Sequence, residues 1–211
     1  MQDLINTTVH YVRQTLAAAE GGHDWWHIQR VWDNARQIAD REGGHRLVIE
    51  LGALLHDIAD AKFHGGDEEE GPRRATAYLE GQSVAPPVIA AVVHIIRAVS
   101  FRKGTSADTL ELAIVQDADR LDALGAIGIA RAFSYGGFKN RPLYDPTISP
   151  EQEGGAPTIN HFYEKLLRLK DGMNTETGRQ LAAERHAFME QYLEQFFREV
   201  HLSYAPGKPS P

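Results

Sequence analysis

Apolar residues recur at steps of three and four along almost the whole of this 211-residue chain, the spacing that gives a helix one apolar face. Ile5, Val9, Val12 and Leu16 predict a helix over about 4–19, broken by Gly21-Gly22. Ile28, Val31, Trp32, Ala35 and Ile38 predict a second over about 24–42, stopped by Gly43-Gly44. Leu47, Leu51, Leu54 and Leu55 predict a third over about 46–58, and further helices are expected at about 72–81, 86–98, 108–134, 158–171 and 176–201. No alternating pattern runs longer than a few residues. The fold class expected is therefore all-α, a helical bundle of about seven to nine helices. Residues 1–135 are expected to form the core of the bundle and 158–202 two C-terminal helices packed on it. Between them, GGFKNRPLYDPTISPEQEGGAP makes 136–157 a long glycine- and proline-rich loop, and 203–211 reads as a frayed tail.

Composition narrows the function. A formal charge of -7 argues against a broad nucleic-acid or anionic-membrane surface but leaves room for a small basic pocket. The absence of cysteine excludes disulfides, thiolate metal sites and a cysteine nucleophile. The start has no basic region followed by an apolar run, and no apolar stretch approaches the ~20 residues that span a bilayer. A cytoplasmic protein is expected.

Chemistry-bearing residues fall at three places. His56-Asp57 ends the apolar helix LGALLHDIAD just before a polar loop, where nitrogen and oxygen donors suit a divalent metal. His27 lies on or beside the apolar stripe of its helix, with Val31 and Ala35 beyond it. In LELAIVQDADRLDALGAIGIA, Leu112, Val115, Ala123 and Ala126 put Asp119 on an apolar face, a costly place for an unpaired carboxylate. Asp122 shares that face, so spacing leaves open which of the two reaches a metal; Asp117 points elsewhere, toward the surface or a supporting position. Trp25, Trp26 and Trp32 group near His27, as core packing first and base stacking second.

The order His27, His56-Asp57, Asp119 resembles the HD-domain metal-dependent phosphohydrolase superfamily. HDWWHIQRVW, LGALLHDIADAKFHGGDE, QDADRLDALGAIGIARAF, NHFYEKLLRLKDGMNTETG and ERHAFMEQYLEQF resemble its YpgQ/YedJ-like nucleotide pyrophosphohydrolases over roughly residues 5–200. The resemblance implies an HD-domain bundle with His27, His56, Asp57 and Asp119 as ligands of one divalent ion (Mn, Mg, Co or Ni), the aspartate before arginine in ADRLD being the ligand. It also implies acid–base work three positions after Asp57, at Asp60, which is shorter than the glutamate often found there.

Two histidines and two aspartates leave coordination positions for water and a phosphate oxygen, so metal-activated water attacking phosphorus is the expected reaction. Asp60 and Lys62 are the catalytic candidates. Arg30, His64, His94, Lys103, Asp122 and Lys165 are carried as substrate-side candidates, since phosphate oxygens need cations and hydrogen-bond donors. The resemblance implies hydrolysis of (deoxy)nucleoside triphosphates to monophosphate and pyrophosphate. The alternatives are nucleoside monophosphate, cyclic-nucleotide or alarmone hydrolysis, a dinuclear-iron oxygenase using His64 and His94, and a binding module with a structural metal. The partners expected are a small nucleotide and a second copy in a homodimer, with no extended nucleic acid and no membrane.

Overall fold

Helix-stop signals and caps divide the chain into short rods that pack around three central helices. The computed structural model describes residues 2–17, 24–59, 67–99 and 107–204, with side chains to residue 200. All regular structure among them is helical: α1 (Gln2–Thr15), α2 (Trp25–Glu42), α3 (Arg46–Leu55), α4 (Glu70–Gly81), α5 (Pro86–Ala98), α6 (Leu110–Asp122), α7 (Gly125–Phe138), α8 (Asn160–Glu164), a 3-10 helix (Leu166–Gly172) and α9 (Glu176–Tyr204). None of these helices is long and apolar enough to cross a membrane.

Local chemistry sets the ends. Asp24 caps α2 by accepting from the His27 backbone N–H at 3.0 Å, and Gly43 ends that helix at a φ of 85°, a conformation costly for residues with a Cβ. Thr109 caps α6 through Leu112 N–H at 3.2 Å, and Pro86 opens α5, where its missing N–H costs nothing.

α2 packs on both α3 and α6, and α3 packs on α5, α6 and α1. Their apolar stripes interlock: Ile28, Val31, Ala35 and Ile38 of α2 meet Leu51, Leu54 and Leu55 of α3 and Leu112, Val115 and Leu121 of α6 in one buried core. Gly52 lets α3 approach α5 closely, since a Cβ there would lie 2.8 Å from Ile95 Cδ1. The three central helices thus bring the first turn of α2, the end of α3 and the last turn of α6 to one point.

Two expectations need correction. The helix predicted over 108–134 is two helices. α6 ends at Asp122 and the chain turns through Gly125 at a φ of 68°, so Ala126 is exposed on α7 rather than buried beyond Asp119. The helix predicted over 158–171 is a five-residue α-helix followed by a 3-10 helix. The excursion after α7 is tied down at its end: Thr158 N–H donates to Pro142 O at 2.8 Å, and Asn160 Nδ2 donates to Ser149 O at 2.7 Å. Tyr144 within it packs edge-on against Phe196 of α9, with ring centres 5.9 Å apart.

Asp117, expected at the surface or in a supporting position, is fully buried. Its carboxylate accepts from Asn174 N–H at 2.8 Å, Asn174 Nδ2 at 2.9 Å, Thr175 N–H at 2.7 Å and Thr175 Oγ1 at 2.8 Å. Thr175 Oγ1 in turn accepts from Gly178 N–H at 2.9 Å, and a Cβ at Gly178 would lie 2.3 Å from Asp117 Oδ2. The start of α9 is therefore hung on α6 through one carboxylate. Asp117→Ala is expected to lower the melting temperature by roughly 5–10 °C, corresponding to about 2–3 kcal/mol for donors left without an acceptor. A thermal melt checks this, and a midpoint equal to that of the parent chain would contradict the clamp.

Candidate metal centre and active site

Two imidazoles and two carboxylates converge where α2, α3 and α6 meet. His27 stands in the first turn of α2 with its side chain 2% exposed. His56 forms the C-terminal cap of α3 and is likewise buried, and Asp57 follows it. Asp119 lies in the last turn of α6. His27 Nε2 is 3.6 Å from Asp57 Oδ2 and 3.6 Å from Asp119 Oδ1. His56 Nε2 is 3.7 Å and 3.9 Å from the same two oxygens. The ligand atoms offered by His27, His56 and Asp119 lie within 4.8 Å of one another, and Asp57 adds an oxygen within reach of both rings.

The hydrogen bonds on the far sides of the rings define what the near sides offer. His56 Nδ1 donates to the carbonyl of Ala53 at 2.8 Å, and His27 Nδ1 donates to Asp122 Oδ2 at 2.7 Å. With its Nδ1 proton used there, His56 presents an Nε2 lone pair toward the carboxylates, and His27 presents one once a metal displaces its second proton. His56 Nε2 is buried without a hydrogen-bond partner, a loss of about 1–3 kcal/mol unless a cation takes the lone pair. Two imidazole nitrogens and two carboxylate charges match a divalent ion of borderline hardness. Asp57 and Asp119 are 23% and 31% exposed, so the carboxylate side is the side open to substrate.

Charge around His27 is strongly biased. Burial opposes its protonation, but the hydrogen bonds to Asp122 and Asp57 and the charge of Asp119 outweigh burial and Arg131, raising its pKa to about 9. Burial pushes the Asp122 carboxyl up, but the bonds from His27 and Arg30, with the charge of Arg131, hold it at about 2. A proton and a metal ion compete for the same imidazole.

The substrate-side candidates are scattered. Arg30 has two of its nitrogens on Asp122, at 2.6 and 3.0 Å. Asp122 was expected to face substrate; it lies instead behind His27, 1% exposed, with both oxygens engaged. His94 on α5 is exposed and pairs with Asp108 at 2.7 Å. Lys165 is exposed at the junction of α8 and the 3-10 helix, its charge close to His161. Asp60, Lys62, His64 and Lys103 lie outside the described residues. Of the tryptophans near His27, Trp26 is 58% exposed, whereas Trp32 Nε1 donates to Glu50 at 2.8 Å. Arg131 of α7, which reaches Asp122, is a participant that the sequence reading missed. Its one signal is a lone arginine in the apolar run GAIGIARAF, where a buried charge needs a partner.

The comparisons with known proteins agree with this geometry. The HD domain family model matches residues 25–124, the stretch that carries all four donors. The chain is 40% identical over 198 residues to the uncharacterised protein YpgQ of Bacillus subtilis, covering 90% of each. It superposes on the crystal structure of an HD-superfamily hydrolase from Bacillus thuringiensis with a TM-score of 0.81 and 47% identity, over 95% of this chain and 98% of the other. Bacillus subtilis YpgQ in complex with ADP superposes with a TM-score of 0.75 and 36% identity in that alignment, over 96% and 98%. With the donors, the helices and the full-length relatives in accord, the chain belongs to the HD-domain superfamily of metal-dependent phosphohydrolases, in the branch that includes YpgQ.

Proposed function

We propose that this enzyme hydrolyses a phosphoanhydride bond of nucleotides, converting a nucleoside triphosphate to the monophosphate and pyrophosphate. The observation that carries this reading is the cluster itself: two imidazole Nε2 atoms and two carboxylates, buried on the histidine side and partly exposed on the carboxylate side. A relative in complex with ADP supports a nucleotide as the ligand. The proposal assigns one divalent ion, manganese first among Mn, Mg, Co and Ni, to His27, His56, Asp57 and Asp119, in a cytoplasmic enzyme.

When bound there, the ion supplies Lewis-acid polarisation of a phosphoryl oxygen and makes water more acidic. The remaining work falls to side chains. His27 and His56 are held in one tautomer by Asp122 and the Ala53 carbonyl, so no rearrangement is needed during turnover. Asp57 and Asp119 balance the ion's charge. Asp60, three residues beyond Asp57, is proposed to take the proton of the attacking water as its oxygen bonds to the α-phosphorus and pyrophosphate leaves. Lys62 and Lys103 are proposed to meet the phosphate charge, with His64 donating to a phosphate oxygen. Arg30 already serves Asp122 through two nitrogens, which favours the lysines for the substrate.

A release assay over nucleoside tri-, di- and monophosphates and cyclic nucleotides, run with Mn, Mg, Co and Ni, tests the reading. Pyrophosphate released from triphosphates is expected, and orthophosphate as the only product from every substrate would overturn it. Asp60→Ala is expected to retain metal and lose about 100-fold or more in turnover, the contribution typical of a general base; turnover within a few-fold of the parent would remove Asp60 from that role.

The raised pKa of His27 adds a pH dependence with a definite sign. In the metal-free protein its proton contributes stability that is complete below the unfolded value near 6.5 and is lost as pH rises through about 9. Metal must displace that proton, so the rise in melting temperature on metal saturation should grow between about pH 6.5 and about pH 8.5. Paired melts at each pH measure it; a metal-induced shift independent of pH would contradict the assignment.

A further inference from the structure

Asp122 closes α6 four residues after Ala118 and faces three partners from two other helices. Its Oδ1 accepts from Arg30 Nε at 2.6 Å. Its Oδ2 accepts from Arg30 Nη2 at 3.0 Å, from His27 Nδ1 at 2.7 Å and from Arg131 Nη1. The same Arg131 nitrogen reaches the Asp122 carbonyl at 3.3 Å. Behind the carboxylate, Arg185 Nη1 donates to Leu121 O at 2.5 Å and its Nη2 to Asn34 Oδ1 at 2.9 Å, while Asn34 Nδ2 donates to Ala118 O at 3.2 Å. The end of α6 is therefore braced from α2 and α9, and the carboxylate has no freedom to turn toward solvent.

We infer that Asp122 is a positioning residue for the metal centre: it orients the His27 ring and keeps its proton on Nδ1, with Arg30 and Arg131 fixing the carboxylate in place. This rests on the metal-centre reading above and goes beyond it, because it makes a residue with no open face a determinant of metal affinity. The chemistry requires both halves of the network. A carboxylate at Nδ1 makes Nε2 a stronger donor, and such partners are worth about 10–100-fold in metal affinity. The guanidiniums of Arg30 and Arg131 fix that carboxylate from two helices, so it cannot swing away from Nδ1. Arg30 and Arg131 come from helices on either side of Asp122, so the ring is fixed by α2, α6 and α7 together.

The test strips the protein with a chelator and titrates it with Mn, comparing the parent chain, Asp122→Asn and Arg131→Gln. Asp122→Asn is expected to bind about 10–100-fold more weakly, and Arg131→Gln to fall between it and the parent. A second readout follows the His27 Nδ1–H signal by nitrogen–proton NMR of the zinc-loaded protein; it should shift or vanish in Asp122→Asn, which a merely structural role would not require. If Asp122→Asn does not fold, Arg30→Gln joins Arg131→Gln in carrying the comparison. Parent-like affinity in every folded variant, with the Nδ1–H signal in place, overturns the inference. A parent chain that binds no Mn overturns the metal-centre reading instead.

Discussion

Two buried imidazoles whose Nδ1 protons are already spent govern the rest of the site. His56 gives its proton to a carbonyl one turn back, and His27 gives its proton to a carboxylate brought from α6. Each ring then has one nitrogen, Nε2, whose lone pair a metal could take, and burial shields it from water. Only convergence of α2, α3 and α6 places those lone pairs beside Asp57 and Asp119, so the packing of the three helices and the chemistry of the site are one constraint.

Charge is arranged in two tiers around that constraint. The carboxylates of Asp57 and Asp119 are partly exposed beside the two Nε2 atoms, whereas Asp122 is buried on Arg30 and Arg131. The outer pair is open to a ligand and the inner one closed to it. The buried carboxylate of Asp117 belongs to neither tier; it spends its charge on the start of α9 and so anchors the C-terminal helix to the helix that carries Asp119.

Much of this was legible in the sequence because it is local. The stripe Ile28, Val31, Ala35 and Ile38 foretold α2, and the residues singled out by the order His27, His56-Asp57, Asp119 do meet at one point. What failed was whatever depended on distant partners or on backbone bends. Periodicity ran straight through Gly125, because Ala126, Ile129 and Ala132 keep an apolar rhythm while the chain turns at a positive φ. The apolar face was assigned to Asp119 and Asp122 and not to Asp117, whereas Asp117 and Asp122 are the buried carboxylates and Asp119 is partly exposed. Their partners lie at Asn174, Thr175, Arg30 and Arg131, separations that no helical period connects.

The central claim is that His27, His56, Asp57 and Asp119 hold one divalent ion while Asp122 stands behind His27. Anomalous diffraction at the manganese edge from crystals grown with Mn tests it most directly. The account predicts a single peak bonded to both Nε2 atoms and to one oxygen of each outer aspartate, with Asp122 still on Nδ1. A peak on Asp122, or none within bonding distance of the histidines, would contradict it.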